Sequence, residues 1–156
     1  MKIPEHLIPK FRELYDQCYA CGFANPIGLH LDGFHRISET EVGATFQSRP
    51  EHRGTVGTMH GGVIAAALDE ICAWTAVLAA DTMAITAKLE LRFRKPVDVG
   101  AEYQLIGRLL EQSGSRLKIE GAMLDGSRTM ADVKGLFLAT DPVESLWPAD
   151  AGFIQG

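Results

Sequence analysis

Two acids, Asp69 and Glu70, stand near the centre of an otherwise apolar stretch, GGVIAAALDEICAWTAVLAA at 61–80. A carboxylate enclosed by apolar side chains is costly unless it is paired or put to use. On a helical wheel the neighbours of Asp69 are Gly62, Ala65, Ala66, Cys72, Ala73 and Ala76, all small. Those of Glu70 are Val63, Ala66, Ala67, Ala73, Trp74 and Val77, a bulkier set. The small stripe leaves room for a ligand or a second backbone beside Asp69. That makes Asp69 the better candidate for a catalytic carboxylate. Pairing with a buried donor for purely structural reasons is an equal alternative on composition alone.

His60-Gly61-Gly62 stands where a glycine-rich loop, 49–62, becomes that apolar stretch. The first turn of a helix carries unpaired N–H groups and a partial positive charge, which suit a developing oxyanion. Glycine there would let a carbonyl approach the backbone, although a tight turn capped by His60 explains the same residues more simply. Gly61 and Asp69 are eight residues apart in the sequence. On one helix that is about 12 Å along the axis, at about 1.5 Å per residue. A carbonyl and its attacking water span far less. If both residues serve one reaction they come from two chains, which predicts a homodimer with its site at the interface.

Other polar residues carry weaker signals. Cys18-x-x-Cys21 has the spacing of a zinc or redox pair, but zinc needs about four ligands and no second CxxC or HxxxH is present. A thioredoxin-type role would need a βαβ setting, so two structural loop cysteines are expected and no metal is assigned. His30 and His35 fall on a strand candidate and read as exposed or hydrogen-bonded side chains. Lys88, Arg92, Arg94 and Lys95 gather on the polar side of an alternating segment. A solvated face is their default reading, with an anionic, phosphate-bearing ligand as the alternative.

The elements that must position these residues can be read from periodicity. Residues 5–17 place Leu7, Phe11, Leu14 and Tyr15 at helical spacing. Leu29–Ile37 and Val42–Ser48 read as strands around a polar turn, and 61–80 as a long helix. From Ile85 to Arg94 the residues alternate without a break, with Ile85, Ala87, Leu89, Leu91 and Phe93 on one face. Glu102–Gln112, Arg116–Leu124 and Thr129–Ala139 follow, with Ser113-Gly114-Ser115 and Asp125-Gly126-Ser127 as hairpin turns. These four strands are expected to form an antiparallel meander. Strand–strand–long helix–four strands is an α+β pattern in which a sheet wraps one apolar helix. Residues 1–140 are expected to form a single domain with an N-terminal helix, and 141–156 a loose tail.

Composition bounds the function classes. The 156 residues carry 15 Lys and Arg against 20 Asp and Glu, a net charge of −5, which argues against a nucleic-acid partner. Asp69 and Glu70 argue against a membrane span at 61–80, since each mid-membrane acid costs roughly 2.5–3.5 kcal/mol. Three cysteines cannot all pair within one chain, and no signal peptide opens the sequence. A reducing, cytoplasmic setting is the expectation.

Several motifs together are familiar: CxxCGxxNPxGL at Cys18–Leu29, GxxHGG at Gly57–Gly62, Asp69 nine residues after His60, and an alternating strand leading into Pro96. They resemble the PaaI-type acyl-CoA thioesterases of the hotdog-fold thioesterase superfamily, over residues 18–140. The resemblance implies a hotdog fold and a hydrolase that splits acyl-CoA to free acid and CoA without metal or organic cofactor. It implies Asp69 as base or nucleophile, the Gly61 N–H of the other subunit as carbonyl donor, and His60 and Gly62 as parts of that pocket. Thr86, ten residues before Pro96, matches a Ser or Thr often placed near the acid. Arg92 and Arg94 are the candidate substrate-binding cations. Some relatives carry Asn six residues before the His, where this chain has Gly54; His52 is the candidate substitute. The implied assembly is a homodimer, with a homotetramer formed from two dimers left open. A hotdog module that binds acyl-CoA without hydrolysing it is the alternative; hotdog dehydratase signatures are not evident.

Overall fold

The computed structural model describes residues 2–55 and 57–147. A 3-10 turn at Glu5–Leu7 leads into a short helix, α1 (Ile8–Glu13), with Pro9 in its first turn where a missing N–H costs nothing. The strands are β1 (Asp32–Arg36), β2 (Glu41–Gln47), β3 (Thr82–Phe93), β4 (Glu102–Ser113), β5 (Arg116–Asp125) and β6 (Arg128–Pro142). Between β2 and β3 runs the long helix α2 (Gly61–Ala79). All six strands form one antiparallel sheet in the order β1-β2-β4-β5-β6-β3. The sheet curls around α2. This is the α+β hotdog architecture.

Helix α2 is enclosed because its apolar residues occupy most of its circumference: Ile64, Leu68, Ile71, Trp74, Val77 and Leu78 are all buried against the sheet. It is long and apolar enough to cross a membrane, yet its bulk is spent in this core. Close approach is made possible by a glycine on β4. A Cβ at Gly107 would lie 2.0 Å from Thr75 Oγ1 and 3.0 Å from Ile71 O. Thr75 itself is buried and donates back to Ile71 O at 2.7 Å, so no polar atom of that contact is left unpaired. At the other end of the helix Arg36 of β1 donates to Leu78 O at 2.8 Å, placing a cation at the negative C-terminus.

Two expectations about the strands need correction. First, β3 does not continue into a four-strand meander. It pairs with β6 at the sheet edge, and the 94–101 connection crosses over β6 and β5 to reach β4. Only β4, β5 and β6 are joined by the two tight hairpins, at Gly114 and Gly126, both with positive φ. Second, the alternation along β3 is interrupted. Thr86 pairs with Phe137 and Lys88 with Leu136, so Ala87 is an extra residue, a β-bulge. The bulge changes the facing: Ile85 lies opposite exposed Leu138 on the outer face, whereas Thr86, Leu89 and Leu91 lie opposite Phe137, Gly135 and Val133 on the helix face.

Beyond residue 140 the chain is not loose at once. β6 runs to Pro142, a 3-10 turn follows at Val143–Leu146, and Val143 and Trp147 are buried, with Trp147 stacked on Phe11 at 5.7 Å. The rest of the expected tail, 148–156, lies outside the described residues.

Candidate active site

Asp69 is partly buried on the third turn of α2, on the side that faces β3. Thr86 Oγ1 donates to Asp69 Oδ1 at 2.7 Å. The Ala87 bulge makes this contact possible: with unbroken alternation Thr86 would share a face with Lys88 and Glu90, which are exposed. A carboxylate that accepts one hydroxyl donor keeps a second oxygen for water or substrate. β3 is an edge strand, so the pair sits at the open side of the sheet. Ile85 and Phe93 on the same strand are 63% and 57% exposed, unusual for large apolar side chains.

The start of α2 is organised by His60. Its backbone is extended, with φ −63° and ψ 133°, and its Nδ1 accepts from the Gly62 N–H at 2.9 Å. His60 is thus the helix N-cap, as the simpler reading of the motif held. The capping leaves Gly61 as the first helical residue, whose N–H has no acceptor within the helix. Among the described residues no other group takes it. The resulting free donor lies at the positive end of a 19-residue helix. Gly61 also lines an open depression of about 460 Å³ with Thr58, Phe93, Arg94 and Lys95.

The loop before α2 is held from behind. The His60 N–H donates to His52 O at 2.9 Å, and Met59 N–H to Val97 O at 2.6 Å. His52 is 5% exposed; its Nδ1 accepts from the Arg49 N–H at 3.0 Å. His52 therefore supports His60 through the backbone from beneath the loop. Burial, followed by the charge of Arg49, lowers its pKa, so the ring is held neutral. Gly54 has a steric reason. A Cβ there would meet His60 Cα at 2.9 Å, so no asparagine fits without displacing the cap.

Of the expected cations, Arg94 is ion-paired with Asp132 and lines the depression beside Gly61. Arg92 is exposed near the end of β3, paired with Asp132 of β6. The NPxGL motif has a structural account. Asn25 O accepts from His30 Nε2 at 2.7 Å, while Arg49 contacts His30 Nδ1 at 3.1 Å and donates to Gly28 O at 2.6 Å. Because arginine can only donate, Nδ1 is the acceptor and the proton sits on Nε2. This network ties the N-terminal loop to the segment that carries His52.

Glu70 faces away from this site. Its Oε1 accepts from Trp74 Nε1 at 3.1 Å and lies 3.7 Å from Cys18 Sγ. Burial, with the neighbouring Cys18, raises its pKa to about 7. The approach of Glu70 to the two cysteines is a clustering the sequence concealed, because Glu70 lies far from both in the chain.

Comparison with known proteins agrees with this architecture. The model of the thioesterase superfamily matches residues 56–131, the stretch that holds His60, Asp69 and Thr86. The bovine acyl-coenzyme A thioesterase THEM4 is 26% identical over 144 residues, covering 89% of this chain and 58% of that protein. The chain thus spans less than two thirds of that relative's length. A crystal structure of a thioesterase superfamily protein superposes with a TM-score of 0.72 at 23% identity, covering 78% of this chain and 62% of that one. A Streptococcus mutans protein bound to acetyl-CoA superposes with a TM-score of 0.64 at 17% identity, covering 71% of this chain and 91% of that one. The chain is thus similar to the thioesterase superfamily over residues 56–131, a little under half of its length.

Proposed function

We propose that this protein hydrolyses acyl-CoA thioesters to the free acid and CoA, working as at least a homodimer. The carrying observation is the Thr86–Asp69 hydrogen bond at the open edge strand, with a free Gly61 N–H eight residues earlier on the same helix. Two such edges brought together would place Asp69 of one chain against the partner subunit's Gly61. The exposed apolar side chains of β3 favour that pairing, since a 12-residue open edge offers its backbone groups to another strand. The name of the bovine relative and the acetyl-CoA in the Streptococcus mutans structure support the substrate class.

The chemistry follows from the charges. The thioester carbonyl oxygen accepts from the partner subunit's Gly61 N–H, which stabilises the oxyanion as it forms. Asp69, oriented by Thr86, takes a proton from the attacking water or attacks the carbonyl carbon itself. Collapse of the tetrahedral intermediate expels the CoA thiolate, which is reprotonated. The water route leaves the carboxylic acid directly; the nucleophilic route leaves an acyl–Asp69 anhydride that a water then hydrolyses to the acid and free Asp69. Arg94 and Lys95, which line the same opening, are suited to the phosphates of CoA, and Arg92 is exposed two residues before Arg94.

Thiol release across a panel of aliphatic and aromatic acyl-CoAs tests the proposal, with Asp69→Asn as the control. The wild type should release thiol from at least one class, and Asp69→Asn should lose several orders of magnitude in turnover while still binding. Binding without release by the wild type would instead identify an acyl-CoA-binding module.

A further inference from the structure

Outside the Asp69 site, three side chains of ligand type meet beneath the N-terminal segment. Cys18 and Cys21 lie on one tight turn, closed by the Gly22 N–H donating to Cys18 O at 2.9 Å. Glu70 reaches the same point from the middle of α2. One ligand atom from each of the three lies within 4.8 Å of the other two. Among the described residues no Lys, Arg or His forms an ion pair with Glu70. A partly buried carboxyl beside two thiols with no cation is a costly arrangement to keep for packing alone.

We propose that Cys18, Cys21 and Glu70 bind a divalent zinc-type cation that clamps the N-terminal segment to the central helix. Two thiolates select a borderline-soft ion over magnesium or calcium, and three protein ligands leave the fourth tetrahedral position to water. With Zn–S of about 2.3 Å and Zn–O of about 2.0 Å, neighbouring sulfur and oxygen ligands sit about 3.5 Å apart. The Cys18 Sγ to Glu70 Oε1 distance is 3.7 Å. The other requirements of a metal site are also met. Trp74 Nε1–H donates to Glu70 Oε1 at 3.1 Å and fixes the carboxylate, the supporting contact that metal ligands usually have. The Cys21 carbonyl is held by Arg12 at 3.2 Å, which anchors the turn. All three ligands border an apolar cavity of about 170 Å³, also lined by Tyr15, Trp74 and Met83, with space for the water. Both thiols and the carboxyl would lose protons on binding, and the dication would take the place of the missing counter-charge. Glu70 adjoins Asp69, so the clamp would also steady the helix turn that carries the proposed catalytic acid.

The full chain, reduced with a non-chelating phosphine, is equilibrated with Zn²⁺ or Co²⁺, dialysed, and analysed for metal per chain and for thermal unfolding. One zinc per chain is expected, with a raised Tm and thiolate-to-cobalt charge-transfer absorption for the Co²⁺ form. Cys18→Ser, Cys21→Ser and Glu70→Gln should each weaken binding at least tenfold, while Cys72→Ala, remote from the cluster, should keep it. Glu70→Gln is close to isosteric, and the cobalt spectrum is read on the unaltered chain, so neither depends on the serine variants folding. The proposal is overturned if the reduced chain takes up no more zinc than the Cys18→Ser/Cys21→Ser double variant. It is equally overturned if Glu70→Gln binds as tightly as wild type, or if cobalt uptake gives no thiolate band.

Discussion

Thr86 Oγ1 lies 2.7 Å from Asp69 Oδ1, joining the middle of the buried helix to the bulge of the open edge strand. A hydrogen bond to a charged group contributes about 1.5–3 kcal/mol, against about 1 kcal/mol for a neutral pair. Here it fixes which oxygen of Asp69 is free. Thr86→Val keeps the branched shape and removes the donor. It should lower kcat about tenfold or more, since about 1.4 kcal/mol is a factor of ten. Steady-state thiol release with unchanged circular dichroism checks this; full activity would remove Thr86 from the site.

Gly61 can be altered without an immediate clash. A Cβ there would meet only the Phe93 ring, at 3.6 Å, an ordinary contact. Gly61→Val should therefore fold, with a Tm within a few degrees of wild type, yet crowd the free amide. Loss of one oxyanion donor elsewhere costs roughly 10²–10³ in kcat, and a comparable loss is expected here. A folded Gly61→Val protein with full activity would show that the amide is not the electrophilic group.

Gly54 makes the opposite prediction. Asparagine there must push against the His60 backbone, because the Cβ alone would approach Cα to 2.9 Å. Overpacking of this kind costs about 1–3 kcal/mol. Gly54→Asn should lower stability in denaturant unfolding and should not raise turnover. A more active, equally stable Gly54→Asn protein would contradict the steric account.

His52 predicts a pH dependence of stability. Its buried ring has a pKa below the ordinary 6.5, so the unfolded chain gains a proton at a pH where the folded chain still resists it. The unfolded state then binds more protons, and stability rises with pH in that window. Stability linked to His52 is thus present above pH 6.5, is lost as the pH falls below it, and levels off beneath the folded pKa. His52→Gln should flatten that part of the Tm-against-pH curve. An unchanged slope would assign the acid limb to other groups.

The parts of this fold legible in the sequence are those set by local pattern. The apolar run from Gly61 gave a helix ending one residue early, at Ala79, because its caps and periodicity are local. The Gly114 and Gly126 turns were readable for the same reason. What local pattern does not encode is which strands become neighbours. The alternation from Ile85 marks a strand but not its pairing with β6, and a single inserted residue at Ala87 leaves periodicity looking intact while it exchanges the faces. Asp69 could be separated from Glu70 by wheel position alone. That Glu70 joins Cys18 and Cys21 depends on how the N-terminal loop folds over α2, and no spacing rule reports it.

The central claim is that one site takes Asp69 from one chain and Gly61 from the other, and subunit mixing tests it most directly. Asp69→Asn and Gly61→Val chains, each inactive by itself, are co-expressed in equal amounts and assayed for thiol release. In a heterodimer, Asp69 of the Gly61→Val chain faces the intact Gly61 of the Asp69→Asn chain, which rebuilds one good site. Random pairing makes half of the dimers mixed, so activity should return to about one quarter of wild type for a symmetric dimer. If the mixture stays at the level of its two inactive parents while heterodimers are present, the site does not combine Asp69 with the partner subunit's Gly61.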